Sequence, residues 1–312
     1  MAVMARHWSN LSVWELAAVG TVLMVAAVLA PLPLYLLALS VFGLPHVLWE
    51  LRWIRQTYQA QIPSWVWLAW WGVLGLQAAA RLGSWLGVVS APVTLLVDLL
   101  TLALLFWVVA ALAWRWGSLR AWLLAVLAAC LGVALLWVVN NGDVVAVLVL
   151  LAIIHNFTPL FLVSQGQCFA TFPARSVLAG LFSLPLLLIA ALWWLGMPAP
   201  NTVGWWMPSE ATWLQQHLTQ GFSAVLSGVV LAQCLHYYSV LRLLPTTLPM
   251  PAPRWWLLGA VSASALLTLY FLADFKAARQ LYAVAAGFHA WLEFLLILLL
   301  FSGLGIGKAR VE

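Results

Sequence analysis

Four histidines stand inside long hydrophobic stretches of the sequence: His46, His155, His236 and His289. An ionisable side chain is costly in a bilayer core, so one that lies there usually faces the protein interior and has a function. A single such histidine can instead be a structural residue that hydrogen-bonds across helices. Because neutral imidazole is also the commonest metal-binding side chain, the set of four predicts a shared metal centre.

Two of these histidines have a carboxylate four residues later, Glu50 after His46 and Glu293 after His289. Residues four apart lie on one face of a helix. Each glutamate is therefore predicted to act at the site, either as a further ligand or as the acceptor that fixes the imidazole tautomer. A donor set of imidazole and carboxylate suits iron, copper or zinc, and without thiolates it suits a redox or oxygen-activating metal.

The two glutamates differ in predicted depth. Glu50 lies near the cytoplasmic end of its hydrophobic stretch, where Arg52 and Arg55 are alternative partners. Glu293 lies near the middle of its stretch, where a carboxylate without a cation or donor would be strongly destabilising. We therefore expect Glu293→Gln to reduce metal binding or activity more than Glu50→Gln.

The composition is that of an integral membrane protein. The 312 residues are 66% hydrophobic and 7% charged, with a mean hydropathy of +1.05, whereas soluble domains carry about 25% charged residues. Since little polar sequence remains for a soluble domain, residues 1–312 are predicted to form a single integral membrane domain. The basic residues are dispersed between hydrophobic segments, which argues against a nucleic-acid partner.

The apolar pattern predicts an all-α, polytopic transmembrane helical bundle of about ten spans. Pro31 and Pro33 divide the first long apolar run into two helices, and Asn140, Asn141 and Gly142 form a turn between the fifth and sixth spans. The predicted spans are 12–30, 34–54, 64–81, 92–113, 121–139, 143–164, 175–196, 219–243, 255–274 and 281–303.

The distribution of basic residues orients this bundle. With a cytoplasmic N-terminus, ten Lys and Arg residues fall on the inner side and three on the outer side, which the positive-inside rule favours. Both termini are therefore predicted to be cytoplasmic, and we expect a multi-pass protein of a bacterial inner or intracellular membrane. The segment 197–218 is expected to lie along the outer interface.

Ionisable residues inside the spans fall on the helices that run from outside to inside. Those helices carry His46 with Glu50, Asp98, His155, His236, and His289 with Glu293. The other spans carry essentially none away from their ends, with Gln77 the main polar exception. We therefore expect the first group to surround a common polar centre, with Asp98 lining a substrate path or pairing with Gln77.

Residues 42–50, Phe-Gly-Leu-Pro-His-Val-Leu-Trp-Glu, resemble the Gly-Leu-Pro-His segment of the Brp/Blh family, in which an acidic residue follows four positions later. That family comprises multispan membrane enzymes that cleave β-carotene centrally to retinal, with a non-haem iron proposed to be held by intramembrane histidines. The resemblance implies that His46 is an iron ligand and Glu50 its acidic partner. It also implies His155 and His236 as ligands from later segments.

These observations, with the resemblance, predict a membrane-embedded, non-haem-iron oxygenase that takes a lipid-soluble isoprenoid or carotenoid from the bilayer. The resemblance implies that the enzyme is a dioxygenase. Two alternatives stay open. Two histidines on facing helices also serve as axial ligands of haem b in membrane electron carriers. The second alternative is a non-enzymatic protein, either a transporter, because intramembrane polar residues also line transport pathways, or a pigment-binding assembly protein.

Overall fold

A computed structural model of the chain describes residues 13–60, 62–116, 122–123, 126, 154–164, 172–196, 220–247 and 252–301. These residues are overwhelmingly helical and include no strand, so the predicted all-α class is confirmed. The helices are α1 (Val13–Leu29), α2 (Pro31–Tyr58), α3 (Ser64–Trp85), α4 (Ala91–Trp116), α5 (Thr158–Ser164), α6 (Phe172–Leu195), α7 (Gln220–Tyr238), α8 (Leu244–Thr247), α9 (Arg254–Ala273) and α10 (Phe275–Phe301).

Four helical segments in the described part of the chain are long and apolar enough to cross a membrane. They are Pro31–Tyr58, Ser176–Leu195, Ala224–Leu243 and Arg254–Ala273. They coincide with the spans predicted at 34–54, 175–196, 219–243 and 255–274. This agreement supports a membrane protein, while the total of about ten spans and the orientation of the termini stay predictions.

Several predicted features lie outside the described residues. These are nearly all of the span at 121–139, the first half of the span at 143–164, the turn at 140–142 and the interfacial segment at 197–218.

The predicted break before Pro31 is confirmed, because α1 ends at Leu29 and α2 begins at Pro31. Proline has no N–H and a fixed φ, which suits the first position of a helix. At the other end of the chain, α10 begins at Phe275, earlier than the predicted span at 281–303. Asp274 explains the earlier start, since its Oδ1 accepts a hydrogen bond from the Ala277 N–H at 2.9 Å and caps the helix.

Helix α7 continues through a π-helical turn, Ser239–Leu243, into the short helix α8, which contains Pro245. The predicted span ends at 243, so the helical path extends past this proline. Proline lacks an N–H and its ring crowds the preceding turn, and the turn that precedes Pro245 is the π-helical one. Such turns are frequent at functional sites, and this one follows His236 by three residues.

The chain forms two compact units. One contains Met1–Trp53 and Asn156–Ala278, and the other contains Ile54–His155 and Arg279–Glu312. The single membrane domain predicted for residues 1–312 stays a prediction.

In the first unit, α7 packs against α6 and α1. One face of α7 carries apolar residues at intervals of three or four: Leu226, Val230, Cys234 and Tyr237. These residues are buried in one cluster with Ala38 of α2. Gly228 allows the close approach of α6, because a Cβ at this position would lie 2.8 Å from the Pro185 carbonyl oxygen. This packing sets the position of α7 and the polar residues that it carries.

In the second unit, α3 packs against α4. Trp70 and Leu74 of α3 are almost completely buried. The ring of Trp71 on α3 contacts the ring of Phe288 on α10, with centroids 5.2 Å apart. This contact places α10 beside α3 one residue before His289.

Candidate metal-binding clusters

The first unit contains a cluster of His46, Glu50 and His236, here called the α2–α7 cluster. Helix α2 carries His46 and Glu50, and α7 carries His236; their exposed fractions are 1%, 0% and 0%. The two imidazoles meet edge to face, with centroids 5.1 Å apart and planes at 87°. His236 Nε2 lies 3.8 Å from Glu50 Oε2, so α2 and α7 bring two imidazoles and a carboxylate together.

Tyr237 and Gln233 form one wall of the α2–α7 cluster. The Tyr237 ring lies against His46, with centroids 4.2 Å apart and planes at 31°. The Gln233 Nε2 group donates a hydrogen bond of 2.8 Å to the Tyr237 hydroxyl oxygen. Since Tyr237 also belongs to the buried stripe of α7, helix packing fixes the ring that orients the His46 imidazole.

The second unit contains a matching cluster of His155, His289 and Glu293, here called the α10 cluster. Helix α10 carries His289 and Glu293, which are 1% and 0% exposed. His155 lies in a separate helical turn, and its ring meets the His289 ring edge to face, with centroids 4.7 Å apart and planes at 78°. His155 Nδ1 lies 2.6 Å from Glu293 Oε2. Two imidazoles and a carboxylate again come together.

His46 and His289, the two histidines that a glutamate follows four residues later, direct Nδ1 to a carbonyl oxygen of the preceding turn. His46 Nδ1 lies 3.0 Å from the Phe42 oxygen, and His289 Nδ1 lies 3.3 Å from the Ala285 oxygen. A carbonyl oxygen only accepts, so Nδ1 must carry the hydrogen. In a neutral imidazole, Nε2 then holds the lone pair that binds a metal, and such carbonyl partners are typical of metal-bound histidines.

In the α2–α7 cluster, the Glu50 and His236 donor atoms are spaced as two ligands of one ion would be. Metal–nitrogen and metal–oxygen bonds to these side chains are about 2.0–2.2 Å, so two ligands of one ion lie at most about 4.2 Å apart. The Glu50–His236 distance of 3.8 Å meets this limit. The 2.6 Å between His155 Nδ1 and Glu293 Oε2 is a hydrogen-bonding distance, so this oxygen orients the imidazole. A buried carboxylate also favours a cation beside it, so these histidine and glutamate side chains could hold a divalent metal.

Glu50 is a buried member of its cluster and not a surface carboxylate, although the sequence offered Arg52 and Arg55 as alternative partners. The Arg52 guanidinium lies over the Trp256 ring, 5.0 Å from the centroid, and Arg55 Nε donates to Gln59 Oε1 at 3.3 Å. Glu50 itself is fully buried beside His236. Glu50, like Glu293, is therefore a buried carboxylate beside a histidine.

Asp98 is paired in the second unit, as one of the two sequence alternatives predicted. Gln77 Nε2 donates to Asp98 Oδ1 at 2.8 Å. Arg81 adds two contacts, from Nε to Oδ1 at 3.3 Å and from Nη2 to Oδ2 at 3.0 Å. The sequence analysis missed Arg81 as a partner, although its position four residues after Gln77 puts both side chains on one helix face.

The structure therefore brings the predicted histidines together in pairs, His46 with His236 and His155 with His289. That all four share one metal stays a prediction.

Comparisons with family models, curated proteins and solved structures gave no match to this chain. The resemblance of residues 42–50 to the Brp/Blh family also stays a prediction. The two clusters are the features of the described chain that bear most directly on function.

Proposed function

We propose that this protein is a multi-pass, membrane-embedded, non-haem-iron oxygenase that acts on a lipid-soluble isoprenoid such as a carotenoid. A bacterial inner or intracellular membrane is the proposed location. The observation that supports the proposal is the buried set of two imidazoles and one carboxylate. This set, with coordination positions left open, is typical of non-haem Fe(II) oxygenases.

The ring contacts within each cluster favour a free metal ion over haem b. Two axial histidines of a haem lie on opposite faces of the macrocycle, so their rings cannot touch. His46 and His236 are in direct edge-to-face contact, as are His155 and His289. Neither pair leaves room for a porphyrin between its two rings.

The residues of the chain have distinct proposed roles. His46 and His289 bind through Nε2, because the carbonyl oxygens of Phe42 and Ala285 hold Nδ1–H. Glu293 has two oxygens, so one can hold His155 while the other serves the ion. Five of the six side chains in the two clusters are buried and His155 is 15% exposed, so little water reaches a bound ion and side reactions with water are limited.

The chemistry that a bound ferrous ion supplies is the activation of dioxygen. The proposed reaction adds one O₂ across a carbon–carbon double bond of the isoprenoid. The double bond is broken and each carbon becomes a carbonyl, so both oxygen atoms of O₂ end in the two products.

An apolar substrate is compatible with the exposed surface of α9 in the first unit. Helix α9 exposes large apolar side chains along its length, including Leu258, Val261, Leu266, Leu269 and Leu272, as a lipid-facing helix does. Such a surface would contact a substrate that is dissolved in the bilayer. The resemblance of residues 42–50 to a carotene-cleaving family points to the same substrate class.

Metal analysis and an optical spectrum of detergent-purified protein test the first step. We expect iron in near-stoichiometric amount, no Soret band, and a clear loss of iron in His46→Ala because a ligand is removed. His217→Ala is the matched control, since the sequence places His217 outside the membrane core and it lies outside the described residues. Less than about a tenth of an equivalent of any transition metal would overturn the proposal, given the affinity expected of a three-ligand site.

A Soret band would favour the electron-carrier alternative, and the absence of both metal and haem would favour the transporter alternative. The substrate is tested separately with β-carotene in micelles and isotopically labelled dioxygen. We expect aldehyde products that carry the label. Iron-loaded protein that leaves the polyene intact would overturn the carotenoid assignment.

A further inference from the structure

We infer that Tyr237 is a positioning residue for the proposed metal ligand His46, and that its aromatic ring, not its hydroxyl group, has this role. The inference rests on the proposed metal-dependent function and deepens it, because it assigns the orientation of one ligand to a neighbouring side chain. All the residues that support it belong to the first unit.

The sequence of α7 places three side chains on one helix face. His236 and Tyr237 follow Gln233 by three and four residues, so the three are neighbours on the helix surface. All three are buried, with exposed fractions of 0% for His236, 6% for Tyr237 and 8% for Gln233. Rings on this face contact His46 of α2, so one short segment supplies both a proposed ligand and a residue that packs against another.

Tyr237 contacts both imidazoles of the α2–α7 cluster. Its ring centroid lies 4.2 Å from that of His46 with the planes at 31°, so the tyrosine covers one face of this imidazole. It meets the His236 ring close to a right angle, with centroids 5.8 Å apart and planes at 74°. Aromatic rings prefer offset and edge-to-face contacts of this kind. The three rings pack against one another, and a rotation of His46 would displace Tyr237.

Two contacts together orient the His46 imidazole. The Phe42 carbonyl oxygen, within α2, accepts the Nδ1–H at 3.0 Å and decides which nitrogen faces the backbone. The Tyr237 ring, from α7, decides the plane of the imidazole. The direction of Nε2 is therefore set before an ion arrives. A ligand that is already oriented loses less rotamer freedom on binding, so the affinity for the ion is higher.

Tyr237 can orient His46 because the tyrosine is itself held in place. The Gln233 Nε2 group donates a hydrogen bond of 2.8 Å to its hydroxyl oxygen. The side chain is also buried in one cluster with Val230 and Cys234 of α7. The hydrogen bond acts on the tyrosine and the ring acts on the imidazole. Removal of the hydroxyl alone therefore leaves the contact with His46 in place.

Titration of metal-free, detergent-purified protein with Co(II) tests the inference, because the visible spectrum of bound Co(II) reports the geometry of its ligands. We expect Tyr237→Phe to bind Co(II) as wild type does and with the same spectrum, since the ring is retained. Tyr237→Leu should bind about 10- to 100-fold more weakly, the loss typical of residues that orient a metal ligand, and with a changed spectrum.

Tyr238→Leu is the matched control. Tyr238 is the next residue of α7, and its hydroxyl contacts Glu15 of α1 at 3.3 Å. We expect this variant to keep the affinity and the Co(II) spectrum of wild type. Thermal unfolding of each metal-free variant is measured in parallel. A purely structural role of Tyr237 predicts a lower unfolding temperature for Tyr237→Leu with unchanged affinity and spectrum.

That purely structural result would overturn the inference but not the proposed function. Equal losses of affinity in Tyr237→Phe and Tyr237→Leu would also overturn it, because the hydroxyl would then be decisive, as would an equal loss in Tyr238→Leu. Binding of neither Co(II) nor iron by wild type would overturn the inference and the proposed function together. If Tyr237→Leu does not fold, Tyr237→Met replaces it, since methionine adapts to irregular gaps in a core.

Discussion

Replacing Glu293 by glutamine perturbs the shortest polar contact of the α10 cluster. The side chain is fully buried, and its Oε2 lies 2.6 Å from His155 Nδ1. Glutamine keeps the shape but removes the charge that favours both a bound cation and an imidazole N–H. Loss of such a partner weakens metal binding by about 10- to 100-fold, which corresponds to about 1.4–2.8 kcal/mol.

Glu50→Gln is the matched comparison. The Glu50 Oε2 lies 3.8 Å from His236 Nε2, which is beyond hydrogen-bonding distance. The contact of Glu50 with His236 is longer than that of Glu293 with His155, and we expect a reduction in iron affinity of less than about tenfold for Glu50→Gln.

Competition between each variant and a chelator for Fe(II) measures both affinities, and thermal unfolding of the metal-free protein checks that the fold is retained. A metal-specific role predicts a large affinity loss with a small change in the unfolding temperature of metal-free protein. If Glu293→Gln binds iron as wild type does while Glu50→Gln does not bind it, the reasoning is wrong. The functional site would then lie around His46, Glu50 and His236.

Two further predictions concern packing around the α2–α7 cluster. Gly228→Ala places a methyl group 2.8 Å from the Pro185 carbonyl oxygen, so we expect a loss of about 1–3 kcal/mol and a lower melting temperature in detergent. Gly180→Ala is its control, since nothing lies within 4 Å of that added Cβ; equal melting temperatures would contradict the close approach. Tyr237→Phe removes the acceptor of the buried Gln233 amide, so we expect a loss of about 1–3 kcal/mol with unchanged iron stoichiometry. Loss of iron in Tyr237→Phe would instead make the hydroxyl part of the site.

The sequence alone was sufficient for the features that depend on local spacing. Long apolar runs predicted the helices, because a backbone in lipid must satisfy its own hydrogen bonds, and Pro31 predicted the break between α1 and α2. The four-residue interval between His46 and Glu50, and between His289 and Glu293, predicted shared helix faces. The helix limits were less accurate, because hydropathy reports the apolar part of a helix and not its capped ends.

Only the tertiary structure decided which of these faces meet. Nothing local in the sequence indicates that His236 joins His46 and Glu50, or that Glu293 lies beside His155. The bidentate contact of Arg81 with Asp98 was also not predicted. An arginine near the end of a span is usually interpreted as a residue that determines the orientation of the span in the membrane. Hydropathy and helical periodicity describe one segment at a time. Contacts between residues far apart in sequence depend instead on how helices pack, as where Gly228 admits the backbone of α6.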